Sequence, residues 1–182
     1  PFDNRPGEIK CLDKIYSYAD ILLIHTQTAK RQFNQLYKAN TPIELITQGF
    51  CLKSDYQRID RNKAKKHFNI MEDKVVFLFY GTIRPSKGFD LLVHAVKEAQ
   101  AENKDIYFLA AGAFHNVDEV EYRELVCKEL DTDTSKVNFG FVPAEEEQWY
   151  FSAADVLCLP YKEVTQSGVA QLGLMYELPI IG

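Results

Sequence analysis

Val75-Val76-Phe77-Leu78-Phe79-Tyr80-Gly81-Thr82-Ile83-Arg84-Pro85-Ser86-Lys87-Gly88-Phe89-Asp90-Leu91-Leu92 sets the architecture of this chain. Its first six residues are valine, leucine or aromatic without interruption, as expected of a strand buried on both faces. Glycine, proline and charge break the run at positions 81–88, the signal of a loop. Beyond it Phe89, Leu92, Val93, Val96 and Ala99 recur at spacings of three and four, which makes one apolar stripe of a helix. The pattern predicts a strand over Lys74–Tyr80 and a helix over Lys87–Gln100.

The same alternation continues on either side. Strands are expected at Asp20–His25, Ile43–Thr47, Ile106–Ala111, Val137–Phe139, Asp155–Pro160 and Pro179–Gly182. Helices are expected at Glu8–Tyr18, Ala29–Lys38, Arg61–Phe68, Val117–Leu130, Ala144–Ala153 and Gly168–Glu177. Strands alternating with helices predict an α/β fold, a Rossmann-like parallel sheet with helices on both faces. Polar sequence over Gln48–Asn69 marks a boundary. The expected division is 1–49, the remnant of a first domain; 50–69, a linker and short helix; and 70–182, a second domain. A final Ile180-Ile181-Gly182 that reads as an opening strand suggests a fragment cut at both ends.

Composition narrows the partners. The chain has 182 residues, 46% hydrophobic and 26% charged, enough to bury a core. A net charge of -5 supplies no basic field for nucleic acid. The longest apolar runs fall far short of the ~20 residues that cross a bilayer. Cys11, Cys51, Cys127 and Cys158 lie far apart without a CxxC pair, so reduced, mostly buried thiols are expected rather than a zinc site. The first seven residues show no basic start followed by an apolar run, and a cytoplasmic address follows as the expectation.

In open parallel sheets ligands bind beyond the carboxyl ends of the strands. After Tyr80, Gly81 permits close backbone approach, Ser86 is placed to cap the following helix, and Arg84 and Lys87 supply a planar fork and a compact point charge. Two cations beside a helix N-terminus suit a diphosphate. Spacing alone leaves equal room for two solvated loop charges, and no Walker loop or GxGxxG pattern is present. After Pro160, Tyr161-Lys162-Glu163-Val164-Thr165-Gln166-Ser167-Gly168 again leads small and polar residues into a helix. A capped turn without a ligand is the plainer reading of that segment.

Taken in order, Gly81-x-x-Arg84-x-x-Lys87-Gly88-Phe89-Asp90, Ala111-Gly112, Gly140-Phe141-Val142-Pro143, Ala153-Ala154-Asp155, Pro160-Tyr161 and Ser167-Gly168 with Leu178-Pro179 resemble the group 1 (family 4-like) retaining glycosyltransferases of GT-B fold. The resemblance extends over about residues 8–182. It implies the nucleotide-sugar-binding half of a two-domain enzyme that moves a sugar from a nucleoside diphosphate sugar to a carbohydrate or lipid-linked acceptor, as in polysaccharide biosynthesis. Arg84 and Lys87 would neutralise the diphosphate, and no metal or other cofactor is implied. Gly81 would let backbone approach the phosphates; Ser167, Gly168 and Val169 would offer N–H groups to them. Phe141 and Val142 would line the base pocket, with Gly112, Glu163, Thr165 and Gln166 completing the donor site. Peripheral association at the inner face of the membrane is an option for the full-length protein. The family's two glutamates eight positions apart are not reproduced: Glu163 stands in for the first at an unusual offset, and Leu172-Gly173 leaves the ribose-binding second without a counterpart. A non-catalytic nucleotide-binding domain and a sugar-nucleotide epimerase of similar architecture are the rival readings.

Other residues invite less. His25, His67, His94 and His115 lack metal-ligand spacing, Glu145-Glu146-Glu147 suits a solvent-facing helix start, and Trp149 and Tyr150 suit packing.

Overall fold

The computed structural model describes residues 6–47, 58–115, 119–162, 164 and 166–182. The chain divides into two compact units, Pro1–Cys51 with Glu163–Ser167, and Leu52–Lys162 with Gly168–Gly182.

The first unit holds α1 (Pro6–Ser17), β1 (Leu22–Ile24), α2 (Gln27–Leu36) and β2 (Ile43–Leu45). The two short strands pair in parallel, Leu22 opposite Ile43. Thr26 caps α2 by accepting from the Ala29 N–H at 3.0 Å. Tyr16, Phe33 and Tyr37 pack ring against ring between α1 and α2, with centroids 4.9–5.0 Å apart. The Asp13 carboxylate accepts from the N–H groups of Lys38 and Ala39, which fixes the turn after α2.

The second unit runs α3 (Arg61–His67), β3 (Val75–Tyr80), α4 (Phe89–Glu102), β4 (Ile106–Gly112), α5 (Glu119–Glu129), β5 (Ser135–Phe139), α6 (Ala144–Ala153), β6 (Val156–Cys158), α7 (Gly168–Met175) and β7 (Ile180–Ile181). Its five strands are all parallel, in the order β5-β4-β3-β6-β7. Strand period two sorts the core. Val76, Leu78, Tyr107, Leu109 and Ala111 face a cluster built by α3, α6 and α7, among them Ala64, Phe68, Phe151 and Tyr176. Phe79, Phe108 and Ala110 face the opposite cluster with Phe89, Leu92, Val93 and Val96 of α4. Both sheet faces are therefore covered by helices, and the expected α/β architecture is present.

One detail differs from the sequence reading. The helix after β3 starts at Phe89, not at Lys87. Pro85–Lys87 form a single 3-10 turn, and Gly88 follows with φ 64° and ψ 26°, a left-handed residue that an α-helix cannot pass through. Gly88 rather than Ser86 is the N-cap of α4, and no side chain caps it. The helix expected over Val117–Leu130 is described from Glu119, and Val117 lies outside the described residues.

Glu177, just after α7, holds φ 56° without being glycine or asparagine. Its carboxylate meets Arg58 at 2.8 Å, but both side chains are largely in solvent, where such pairs contribute little. Glu177→Gly is therefore expected to raise the unfolding free energy by about 0.5–1 kcal/mol, read from urea denaturation. A loss of stability would show that the Arg58 pair outweighs the backbone strain.

Candidate functional site

Strand order locates the site. The chain winds outward from β3 to β4 and β5, then returns to lay β6 and β7 on the other side of β3. The direction of winding reverses between β3 and β6, where parallel sheets of this kind bind ligands, and the loops leaving those two carboxyl ends lead to helices on opposite faces of the sheet. These loops carry Gly81–Gly88 and, in the second unit, Leu159–Lys162.

Backbone packing builds the first wall. Gly81 (φ 111°) donates its N–H to Ala111 O at 2.9 Å, and Ile83 donates to Ala113 O at 2.8 Å, so the loop after β3 runs on beside the end of β4. Gly112 allows this approach: a Cβ there would lie 1.8 Å from the Gly81 carbonyl oxygen. Gly140 in turn donates to Gly112 O at 3.0 Å. A Cβ on Gly81 would meet Val169 Cγ2 at 3.2 Å, which brings the first turn of α7 against the loop after β3. Gly168, at the start of α7, faces open space.

The loops after β3 and β6 are tied to each other. A Cβ on Gly88 would lie 2.0 Å from the Pro160 carbonyl oxygen, so only glycine fits there. The Lys162 N–H donates to Ser86 O at 3.0 Å, and the Lys162 ammonium pairs with Asp90 at 3.2 Å. Lys162 is thereby neutralised. Among the described residues no carboxylate pairs with Arg84 or Lys87. Arg84 stands exposed on extended backbone at the head of the 3-10 turn. Lys87 is half-buried, with Nζ 3.4 Å above the centroid of the Tyr161 ring. Burial first, and the neighbouring Arg84 guanidinium second, hold the Lys87 pKa below the ordinary lysine value. The rim between β3 and β6 therefore presents two adjacent cations that an anion would relieve.

The remaining residues expected at a donor site are placed as follows. Phe141, just past β5, is 83% exposed, an aromatic face held out in solvent, while Val142 packs on the cluster under α6. Glu163 and Thr165 lie outside the described residues. Gln166 is exposed and Ser167 half-buried, and both belong to the first unit.

Other expectations are tested by contacts. His25 Nδ1 lies 2.8 Å from Ile46 O on the surface, and His67 stacks on Trp149 with centroids 4.3 Å apart, so the His67 ring and the tryptophan serve packing. Among the described residues no three His, Cys, Asp or Glu side chains gather as metal ligands would. The Cys158 thiol is buried and its pKa is pushed up to about 12, which leaves it inert, whereas Cys11 is exposed. Glu147 corrects the sequence reading: it is half-buried and hydrogen-bonded to the Tyr80 phenol, whose pKa is raised by burial and then by this carboxylate. The end of β3 and α6 converge there, which a helix-start pattern of three glutamates does not reveal. The sequence likewise does not reveal Tyr161 under Lys87, because that contact joins two loops far apart in the chain. No helix among the described residues is long and apolar enough to cross a membrane.

Comparison with known proteins bears on the family and the fold. The chain is 26% identical over 145 residues to the lipopolysaccharide 1,2-N-acetylglucosaminetransferase of Salmonella typhimurium, covering 76% of this chain and 37% of that one. It is 22% identical over 178 residues to the processive diacylglycerol alpha-glucosyltransferase of Acholeplasma laidlawii, covering 97% and 52%. Among solved structures, sucrose-phosphate synthase from Thermosynechococcus elongatus superposes with a TM-score of 0.76 at 22% identity, over 97% of this chain and 43% of the synthase. The chain spans about half the length of these relatives or less. The fold is that of the GT-B glycosyltransferases. The model of the glycosyl transferases group 1 family matches residues 60–170, more than half of the sequence and the whole span from α3 to the first turn of α7, and the chain belongs to that family.

Proposed function

We propose that the whole protein transfers a hexosyl group from a nucleoside diphosphate sugar to a carbohydrate or lipid-linked acceptor, with retention at the anomeric carbon and without a bound metal. The observation that carries this is the pair of adjacent cations, Arg84 and Lys87, without a described carboxylate partner at the point where the sheet reverses. As the bond between the sugar C1 and the diphosphate oxygen breaks, negative charge gathers on the leaving diphosphate. A guanidinium and an ammonium set beside it stabilise that state more than the intact donor, which is a gain in turnover rather than in adhesion. Gly81, Gly168 and Val169 bring backbone close to the phosphates, with Ser167, Gln166, Thr165, Glu163 and Gly112 in the donor site, and Phe141 and Val142 offer the base an apolar seat. Residues 1–49 are read as the remnant of the acceptor-binding domain and 70–182 as the donor half, so this chain by itself is expected to bind nucleotide and not to turn over. The protein would work in the cytoplasm, at the inner face of the membrane where the acceptor is lipid-linked.

A thermal-shift panel of UDP-, GDP-, ADP- and TDP-sugars tests the donor. One base class is expected to raise the melting temperature by several degrees, since a ligand at a hundred times its Kd adds about 2.7 kcal/mol. No shift with any of them would remove the donor reading. The absent second glutamate favours one rival, a nucleotide-binding domain without chemistry. Transfer that depends on added acceptor excludes that rival and an epimerase together.

A further inference from the structure

Two like charges held side by side need something to keep them there. Lys87 carries its ammonium on a flexible four-carbon stem, and repulsion from Arg84 favours rotamers that swing it into water. It does not swing away: Nζ stays over the Tyr161 ring at 3.4 Å from the centroid. The negative face of an aromatic ring attracts an ammonium, most strongly where water is partly excluded. The ring sits on a segment with little freedom. Tyr161 donates its N–H to Leu159 O at 2.7 Å, and its neighbour Lys162 is bound through backbone to Ser86 and through its side chain to Asp90. A ring covers only one side of an ammonium and leaves N–H donors for another partner.

We infer that Tyr161 is a positioning residue, whose ring holds the Lys87 ammonium beside Arg84 so that both cations meet one diphosphate. The inference rests on the reading of Arg84 and Lys87 as the diphosphate site. It adds a determinant of affinity for the leaving nucleoside diphosphate that the family match does not assign.

A double-mutant cycle tests it, by calorimetric titration of the 182-residue chain with UDP, GDP and ADP. Tyr161→Leu is expected to weaken the best nucleotide about tenfold, the scale of a partly desolvated cation over a ring. Tyr161→Phe, which keeps the ring face, should stay within about twofold. In a Lys87→Met background Tyr161→Leu should change nothing, because the ring then has no cation to hold. An equal loss with and without Lys87 would assign Tyr161 to general packing and overturn the inference, as would unchanged affinity in Tyr161→Leu. Circular dichroism checks that each variant is folded, and Tyr161→Gln replaces the leucine variant should that one unfold. Binding of none of the three nucleotides by the folded, unmodified chain would instead overturn the diphosphate reading, so the two failures are told apart.

Discussion

If the whole protein carries out the proposed transfer, Arg84→Ala or Lys87→Ala should each lower its turnover by about 10²–10³-fold, the usual loss when one preorganised charge-stabilising group is removed. Neither side chain has a described carboxylate partner, and Arg84 is exposed, so the unfolding midpoint should move little. A contact made mainly in the transition state lowers kcat and kcat/KM together, whereas plain adhesion raises KM alone. Titration supplies a second readout. The Lys87 pKa lies below the ordinary lysine value because of burial and the nearby Arg84. The charged, functional form is therefore lost as pH rises through that lowered pKa, and kcat/KM should fall on the alkaline side earlier than an ordinary lysine would allow. Lys87→Arg, which stays charged, should push that limb to higher pH. Unchanged turnover in both alanine variants would refute the assignment.

Much of this site could be read from residues alone, for reasons that also mark where reading stops. Buried parallel strands are continuously apolar, so Val75–Tyr80 and Ile106–Gly112 stand out, and the stripe on α4 is visible at helical spacing. Gly81, Arg84 and Lys87 follow a recognisable strand, which put them at the correct end of the sheet. Strand order is not written in periodicity. That β6 returns to lie beside β3, and so makes those two loops neighbours, is seen only in the pairing of Phe77 with Val156 and Leu78 with Leu157. The same return places Tyr161 under Lys87 and Pro160 against Gly88. Residue preference marks Ser86 as a cap, but the left-handed Gly88 sets the helix start beyond its reach. Its neighbours in sequence make Glu147 look like a surface acid, while its partner Tyr80 comes from β3, far away in sequence.

Asp155→Ala should cost about 3–5 kcal/mol, the range found when one partner of a buried ion pair is removed. Lys65 is only 4% exposed, and its ammonium is held by the carbonyls of Lys74 at 2.6 Å and Glu72 at 3.2 Å and by Asp155 Oδ2 at 3.2 Å. Asp155 also accepts from the Val76 N–H at 2.9 Å and from Arg61 at 2.8 Å, while its own N–H donates to Val76 O. One carboxylate thus joins α3 to the starts of β3 and β6, the two strands whose far ends carry the site. Carbonyl dipoles alone do not compensate a charge taken out of water, so the alanine variant keeps a poorly solvated ammonium in the core. With native stabilities of about 5–15 kcal/mol, that loss brings the fold near its threshold. Lys65→Met together with Asp155→Ala should recover more than half of it, because the pair is then gone and the methionine stem fills the same space. Urea denaturation of the two variants decides between this account and a merely solvated pair: a loss below about 1 kcal/mol in Asp155→Ala, the scale of exposed salt bridges, would show that the carboxylate holds nothing the carbonyls and water cannot.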